Sequence, residues 1–478
     1  MQEGGDGVSA STEFSLSAYF EFLATKSVAS VPTGIDVQRS ALHPKLFDFQ
    51  RDIVRWALKR GKAAIFAHTG LGKTLMQLEW ANQVQRDSGG KVLILAPLAV
   101  SNQTAREAEK IDLTVHVCRD DSDVRDGLNI TNYERLHRFD PEQFTGIVLD
   151  ESSLLKAYDG KMRNIIIDSF KRTPFKLACT ATPAPNDYME LGNHSEFLGI
   201  MTRSEMLSMF FVHDGGNTSQ WRLKGHAVEK FWEWVASWAV LIRKPSDLGY
   251  EDGDFLLPPL NIDEIVLPAT HPPEGYLIPF AAQTLQERRH ARSSTIAERV
   301  AACADIVNAT DKPFLVWCDL NAESEALRKA IPDSVEVKGS DSSEHKEKAM
   351  LDFADGKIRV LVTKPSIAGF GMNWQHCSDM AFVGLSDSFE QMFQAIRRCY
   401  RFGQKNPVNV HIITSELEGA VLDNVKRKEA EFEAMAEAMS WYTQAIVRAN
   451  IRSAAIEKTE YTPQVDMKLP DWLKGDAV

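Results

Sequence analysis

The chain has 478 residues, of which 44% are hydrophobic and 25% are charged. This length exceeds one compact core and suits two or three domains, and the ordinary composition excludes a disordered or fibrous chain. The net charge of -12 excludes a uniformly basic nucleic-acid coat protein but is compatible with a local basic surface.

The cysteines and the N-terminus bear on the cellular setting. The six cysteines are scattered, without a C-x-x-C pair or a histidine cluster at metal spacing. The first residues are acidic where a signal peptide would carry lysine or arginine, and no apolar run reaches membrane-spanning length. We therefore expect a cytoplasmic protein with no structural zinc and no membrane partner.

After an N-terminal extension (1–40), short apolar runs alternate with polar, helix-like stretches up to about residue 185. Apolar runs bounded by turn residues are typical of parallel strands covered by helices on both faces. The pattern predicts a doubly wound α/β lobe over 41–250. The runs are AAIFA (63–67), KVLILAP (91–97), LNITNY (128–133), GIVLDES (146–152) and KLACTATP (176–183).

The segment AHTGLGKT (67–74) directly follows the first run and precedes the helix-like LMQLEWANQV. Strand, glycine turn and helix is the context of a phosphate loop, because backbone N–H groups and a helix N-terminus must converge on the phosphates. We expect Thr69, Gly70 and Gly72 to cradle the phosphates, Lys73 to pair with the β and γ phosphates, and the Thr74 hydroxyl to hold Mg²⁺. The competing interpretation is a glycine-rich turn with a chance lysine.

The run IVLDES places Asp150 and Glu151 at the carboxyl end of an apolar strand. Two adjacent carboxylates there can divide the work, with Asp150 orienting Mg²⁺ and Glu151 polarising the attacking water. An Asp-Glu pair by itself is more often simply solvated, and the phosphate loop upstream favours the catalytic interpretation.

Residues 186–300 separate this region from a second α/β pattern. The aromatic run EKFWEWVASWAVLI has helical spacing, so we expect a helical insertion at about 186–245 packed on the first lobe. The prolines of FLLPPLNIDEIVLPATHPP predict a linker and connecting helix over 251–300.

A second alternation over 301–415 predicts another α/β lobe, and residues 416–478 predict a helical C-terminal extension. The apolar runs of the second lobe are KPFLVWC, VEVKG, IRVLVTKPS, MAFVGL and VNVHIIT. The segment QAIRRCYRFGQ (394–404) carries arginines at helical spacing near the end of this lobe. We expect Arg398 and Arg401 to lie on one helix face and to reach a γ-phosphate as arginine fingers. The alternative is a basic helix face that is only solvated.

Taken in order, these segments resemble the motif series of helicase superfamily 2, and most closely its Swi/Snf-type branch. The resemblance covers about 41–415, and its Swi/Snf character comes from the Arg-x-x-Arg-x-Gly-Gln ending, the A-G-x-G-x-N segment and LIRKPSDL…LLPP. The segments are LFDFQ (46–50), AHTGLGKT, LAPLAV (95–100), DESS (150–153), TATP (180–183), KPSIAGFGMNW (364–374) and QAIRRCYRFGQ.

The resemblance implies two tandem RecA-like P-loop lobes and assigns expected roles to further residues. Gln50, with Phe47, resembles the element that recognises adenine, and Thr180 and Thr182 resemble the segment that couples ATP state to lobe closure. The remaining matches are Gly369, Gly371 and Asn373, similar to a loop that touches nucleotide and nucleic-acid backbone, and Gln394 in the final motif.

Three positions depart from the family pattern. Ser153 stands where a histidine is common after Asp-Glu, Arg397 where a glycine is frequent, and Tyr400 where a histidine is frequent. Because the positions expected to serve the metal, the water and the arginine fingers are intact, we expect ATPase activity.

The expected partner is nucleic acid, and the resemblance favours double-stranded DNA. Ser101, Asn102 and Arg106 are expected to contact phosphates at a helix start, with an ordinary solvated helix start as the alternative. The expected function is an ATP-driven translocase with ATP and Mg²⁺ as cofactors and little base specificity. Two alternatives stay open, a strand-separating DNA or RNA helicase and an ATP-gated DNA-binding module with little turnover.

Overall fold

The structure is a computed structural model. It describes residues 30–97, 100–157, 160–184, 187–214, 217–268, 285–368, 372–386 and 388–455. Two parallel sheets flanked by helices organise this part of the chain as tandem RecA-like lobes, as the sequence predicts.

The first lobe is built on a seven-stranded sheet in which every pairing is parallel. Its central strands are buried almost throughout, which explains their uninterrupted apolar sequence. The strands in spatial order are β3 (Val115–Val117), β4 (Leu128–Asn132), β2 (Lys91–Ala96), β5 (Phe144–Asp150), β6 (Phe175–Thr180), β1 (Lys62–Ala67) and β9 (Ala239–Ile242).

Helices cover both faces of this sheet, and a two-stranded hairpin stands apart from it. The hairpin consists of β7 (Phe211–Asp214) and β8 (Asn217–Leu223). The helices are α1 (Asp48–Arg60), α2 (Lys73–Ser88), α3 (Ser101–Glu109), α4 (Leu154–Ala157), α5 (Gly160–Ser169), α6 (Leu191–Leu198), α7 (Arg203–Phe210) and α8 (Val228–Ala236).

The 186–245 region differs from the helical insertion that we predict. It contains helices, but also the hairpin, and the aromatic helix α8 ends at Ala236. The next apolar residues, AVLI, form β9, which pairs in parallel with β1. A sheet edge beside β1 can bury this run fully as a strand, and this tertiary context outweighs the helical spacing.

The second lobe has a six-stranded sheet, again with parallel pairings. Its strands in spatial order are β10 (Leu260–Leu267), β15 (Val408–Ser415), β14 (Asp379–Phe382), β11 (Phe314–Trp317), β13 (Val360–Thr363) and β12 (Ser334–Val337). The accompanying helices are α9 (Leu285–Ser294), α10 (Ile296–Asn308), α11 (Asn321–Ala330), α12 (Ser343–Ala354), α13 (Pro365–Ala368) and α14 (Phe389–Ile396).

Strand β10 lies within the segment that we predict to be a linker, so this part of the prediction is wrong. The flanking prolines indicate a crossing, yet residues 260–267 pair along their whole length with β15. A proline outside the paired residues does not interrupt a ladder, so β10 occupies the edge where its exposed side chains are tolerated.

The described part of the C-terminal extension consists mainly of one long helix, α15 (Gly419–Ala455), which comes after β15 and returns to the first lobe. There Val447 and Ile451 enter the first-lobe core, and the Arg448 guanidinium donates to the backbone carbonyls of Ser246 and Asp247, at 2.8 and 2.7 Å. The helix therefore joins the two lobes. None of the helices in the described residues has the length and apolarity needed to cross a membrane.

Candidate active site

The phosphate loop joins the end of β1 to the first turn of α2, which begins at Lys73. Gly70 and Gly72 have left-handed φ angles of 91° and 76°, and a Cβ on Gly72 would lie 2.2 Å from Gln50 Nε2. The loop therefore requires glycine at this position for both conformation and space. Free N–H groups at the start of this 16-residue helix make a favourable site for an anion.

The Lys73 side chain reaches the carboxylate that follows β5. Its Nζ lies 2.9 Å from Glu151 Oε1, and the Thr180 hydroxyl donates to Glu151 Oε2 at 3.4 Å. Glu151 has a left-handed φ of 54°, a conformation that costs a non-glycine residue about 1–2 kcal/mol. The surrounding contacts hold the carboxylate at the mouth of the loop despite this cost.

Asp150 lies at the last position of β5 and is buried. Burial raises the pKa of its carboxyl to about 6, opposed by the Lys73 ammonium and reinforced by Glu151. The Tyr133 hydroxyl donates to the Asp150 backbone carbonyl at 2.7 Å and so fixes the strand end.

The residues near the loop fit a magnesium ion bound with a nucleotide. Asp150 Oδ1 and the Thr69 hydroxyl are buried without a hydrogen-bond partner in the structure, and Thr74 lies in the first turn of α2. Mg²⁺ in nucleotide sites takes one or two protein oxygens, with phosphates and water completing its shell. The described residues contain no group of three or more His, Cys, Asp or Glu side chains that could hold a metal ion.

Gln50 is buried beneath the phosphate loop. Its Nε2 donates to the Leu71 carbonyl at 2.8 Å, and its Oε1 accepts from the Phe47 N–H at 2.9 Å. The amide retains one N–H and one lone pair for a base edge. The neighbouring Phe47 is 45% exposed, so an aromatic residue beside the loop is partly open to solvent.

The second lobe brings Arg398 and Arg401 to the lobe boundary, although not on a helix as predicted. Helix α14 ends at Ile396, and both arginines lie in the turns that follow. Each donates through Nη1 to the Met372 carbonyl at 3.3 Å. The shared acceptor, rather than helical spacing, brings the two guanidinium groups together.

Gln394 is fully buried and contacts Arg398. Its Oε1 accepts from Arg398 Nη2 at 3.1 Å, and its backbone carbonyl accepts from Arg398 Nε at 2.9 Å. Burial lowers the pKa of Arg398 to about 10, while the charges of Glu151 and Asp150 in the first lobe raise it. The acidic pair and the arginines therefore attract one another across the lobe boundary.

The residues expected to contact nucleic acid differ in exposure and in their contacts. Ser101 is buried, whereas Asn102 is exposed and donates to Glu347 Oε1 of the second lobe at 3.0 Å. Arg106 is exposed; a hydrogen bond to Lys357 is the main cause that lowers the pKa of Asp355, and the Arg106 charge lowers it further. Asn373 is half-buried, and Gly369 and Gly371 lie outside the described residues.

All three departures from the family pattern have an identifiable environment. Ser153 is buried, and beside it the Ser152 hydroxyl lies 3.0 Å from His194 Nε2. The Arg397 guanidinium packs 4.8 Å from the Phe393 ring and 5.0 Å from the Tyr400 ring. A histidine side chain thus contacts the residue after the acidic pair. It is 42 residues away in the sequence, so the local motif does not reveal it.

Sequence analysis also missed two residues of the final motif. Phe402 packs against the phosphate loop, and Gln404 holds the turn by donating to three backbone carbonyls. The Arg-x-x-Arg-x-Gly-Gln ending was a usable signal for Gln404, whereas the Phe402 contact depends on how the lobes meet.

Segments of both lobes match known protein families. Residues 36–185 match the family described as type III restriction enzyme, res subunit, and residues 298–403 match the helicase conserved C-terminal domain. The bifunctional helicase and thymine dioxygenase JBP2 of Leishmania tarentolae is 33% identical over 98 residues, which are 20% of this chain and 9% of that protein. The chain thus spans less than a tenth of that relative.

Among solved structures, the SWI2/SNF2 ATPase core of Sulfolobus solfataricus in complex with dsDNA is similar over 87% of this chain and 98% of that one. The identity is 16% and the TM-score 0.40.

The two family matches, in this order along the chain and on two parallel sheets, correspond to the two lobes of a helicase-type ATPase core. The two matched segments are those of a superfamily 2 helicase core.

Proposed function

We propose that this protein is a translocase that uses ATP hydrolysis to move along double-stranded DNA without separating the strands. In this proposal Gln50 of the first lobe binds the adenine base of ATP. The other ATP-binding residues of this lobe are Thr69, Gly70, Gly72, Lys73 and Thr74. The second lobe completes the site with Arg398 and Arg401, positioned in part by Gln394.

The observation that carries the ATPase half of the proposal is the ion pair between Lys73 and Glu151, with Nζ and Oε1 2.9 Å apart. Both side chains are almost buried, so each needs a counter-charge. A triphosphate supplies a stronger partner for Lys73, which releases Glu151 to accept a proton from the attacking water. Nucleotide binding thereby activates its own general base.

Mg²⁺ would be held by Thr74 and Asp150, and it supplies charge neutralisation at the β and γ phosphates when bound. The protein's own contribution is to keep Asp150 at the end of β5 and in its buried position. Arg398 and Arg401 add positive charge from the opposite side, where charge develops as the γ-phosphate leaves.

Movement along DNA requires that hydrolysis change the arrangement of the lobes. In the part of the chain that the structure describes, hydrogen bonds across the boundary run from the Thr182 hydroxyl to Glu390 Oε1 at 3.3 Å and from Asn102 to Glu347 at 3.0 Å. Their breaking and re-forming would link ATP state to the first-lobe surface on which Arg106 is exposed.

Double-stranded DNA is proposed because the motif sequences resemble the Swi/Snf-type branch most closely. Its members generally move on duplex DNA without unwinding it. Contacts from Asn102, Arg106, Ser101 and Asn373 to the phosphate backbone, together with the second-lobe loop at Gly371, would give little base specificity.

The decisive experiment compares displacement of a triplex-forming third strand with displacement of one strand of a plain duplex, in the presence of ATP. Triplex displacement without unwinding is the expected result, and robust unwinding would identify a strand-separating helicase. The ATPase rate with and without duplex DNA is measured in parallel for the wild type and Glu151→Gln. Equal, slow rates for the two proteins would instead indicate an ATP-gated binding module.

A further inference from the structure

Three phenylalanines from distant parts of the chain meet beside the phosphate loop; we call them the interlobe aromatic cluster (Phe47, Phe255 and Phe402). The ring centroids of Phe255 and Phe402 are 4.6 Å apart, those of Phe47 and Phe255 are 5.0 Å apart, and those of Phe47 and Phe402 are 6.1 Å apart. Phe47 precedes the first helix of lobe one, whereas Phe402 belongs to lobe two. The cluster therefore joins the lobes through aromatic contact.

The backbone of Phe402 is held against the phosphate loop. A Cβ on Gly70 would lie 2.7 Å from the Phe402 backbone nitrogen, so the loop and the second lobe touch at this point. Gln404 fixes the turn by donating to the carbonyls of Gln375 and Cys377, at 2.9 and 3.0 Å. Phe402 is thus anchored over the loop.

The cluster also adjoins the amide expected to recognise a base. The Phe47 N–H donates to Gln50 Oε1 at 2.9 Å, and Phe47 is 45% exposed. An exposed ring next to an amide with spare donor and acceptor capacity suits a planar heterocycle, which offers a π-face to the ring and a polar edge to the amide.

We propose that Phe402 is a base-binding residue contributed by the second lobe, so that the purine base of the nucleotide contacts aromatic side chains of both lobes, Phe47 on one and Phe402 on the other. This inference rests on the proposed use of ATP at the phosphate loop. A base that contacts both lobes favours the closed arrangement of the lobes. A triphosphate without a base lacks this contribution to the free energy of closure.

A purely structural role for Phe402, as an apolar contact between the lobes, is the alternative. The two roles differ in what they predict for ligands with and without a base. A structural contact supports closure around any triphosphate, whereas a base-binding residue affects only ligands that carry a base.

The test uses the full chain and two ligands, ATP and inorganic tripolyphosphate. For Phe402→Ala, KM for ATP is expected to rise about 10-fold, in line with the loss of one aromatic–base contact. The inhibition constant of tripolyphosphate, measured as a competitor of ATP hydrolysis, should change by less than about 2-fold. Phe402→Trp should keep the wild-type KM. Phe402→Leu should resemble the alanine variant because leucine has no π-face, although it keeps apolar bulk.

Phe393→Leu is the matched control, since Phe393 is a second-lobe aromatic whose ring lies 5.9 Å from that of His68, outside the cluster. It should affect ATP and tripolyphosphate equally. An unchanged KM for ATP in Phe402→Ala, or equal changes for both ligands, would overturn the proposal. If the wild type failed to hydrolyse ATP, the proposed function would fail instead, and direct binding of ATP and tripolyphosphate to the same variants would still test the base contact.

Discussion

The ammonium of Lys73 and the carboxylate of Glu151 form an ion pair at 2.9 Å at the mouth of the phosphate loop. The pair joins the two groups that the proposed reaction must separate, one to bind phosphate and the other to accept a proton. Because each group is nearly buried, a change to either one also alters the environment of its partner.

Glu151→Gln should abolish most ATP hydrolysis while preserving nucleotide binding. Removing a general base typically costs a factor of 10² to 10⁴ in rate, and the amide leaves Lys73 without its competing anion. We expect kcat to fall by that factor and ATP to bind at least as tightly, as measured by steady-state ATPase and by equilibrium binding. Lys73→Ala is the matched comparison, for which binding itself should be lost. Retention of more than a tenth of the wild-type rate in Glu151→Gln would exclude Glu151 as the base.

Arg401→Ala should leave ATP binding intact and remove hydrolysis. The guanidinium approaches from the second lobe, with Nη1 3.3 Å from the Met372 carbonyl, and a lost arginine finger costs orders of magnitude in rate. ATPase and binding are measured as before. Arg397→Ala is the control because its guanidinium packs on the Phe393 and Tyr400 rings. Normal hydrolysis by Arg401→Ala, or an equal loss in Arg397→Ala, would contradict the assignment.

The first-lobe site could be predicted from sequence because its groups lie in short contiguous segments at strand ends. A strand followed by glycines and a helix places Lys73 by local geometry, and a parallel sheet brings the end of β5 beside it. The second-lobe arginines were predicted as a pair, but on a helix that in fact ends at Ile396. Their common acceptor, the Met372 carbonyl, is 26 and 29 residues away in the sequence, so spacing within the motif could not reveal it.

Contacts between residues far apart in the sequence also explain the errors in the predicted fold. The strand β9 continues an apolar run that begins as helix α8, and only the free edge of β1 decides that it becomes a strand. The strand β10 lies between prolines and looks like a linker until its pairing with β15 is known. In both cases the deciding partner is far away in the sequence, where hydrophobic periodicity carries no information.

Thr182→Val should weaken the coupling between ATP hydrolysis and movement more than it weakens hydrolysis. The Thr182 hydroxyl donates across the lobe boundary to Glu390 Oε1 at 3.3 Å, and a bond to a charged acceptor contributes about 1.5–3 kcal/mol. We expect triplex displacement per ATP hydrolysed to fall about 10-fold, with ATP binding unchanged.

Glu390→Gln retains an acceptor oxygen and serves as the control, with a smaller loss expected. If Thr182→Val lowered hydrolysis and displacement by the same factor, the hydrogen bond would not be a coupling contact.

A buried charge cluster in the second lobe predicts a pH-dependent stability. Arg299 is fully buried, with Nη1 2.7 Å from Glu323 Oε1 and Nε 3.4 Å from Glu418 Oε1. Burial raises the pKa of Glu418 from 4.5 to about 7, opposed by the charges of Arg299 and Arg292 and reinforced by Glu323. The folded state therefore holds a proton on Glu418 more tightly than the unfolded chain does.

The direction in which stability changes with pH follows from this difference in proton affinity. Proton binding to Glu418 favours folding, so its contribution is complete below about pH 4.5 and is lost as the pH rises to about 7. The loss amounts to about 3.5 kcal/mol at most, because the pKa differs by about 2.5 between the folded and unfolded states and each pKa unit corresponds to about 1.4 kcal/mol. Glu418→Gln removes the titration, so its stability relative to the wild type should increase between pH 5 and pH 8, measured by urea unfolding at several pH values. Glu323→Gln, which deprives Arg299 of its closer partner, should destabilise the protein across the whole range. A stability difference between Glu418→Gln and the wild type that stayed constant from pH 5 to pH 8 would show that Glu418 does not titrate in this range.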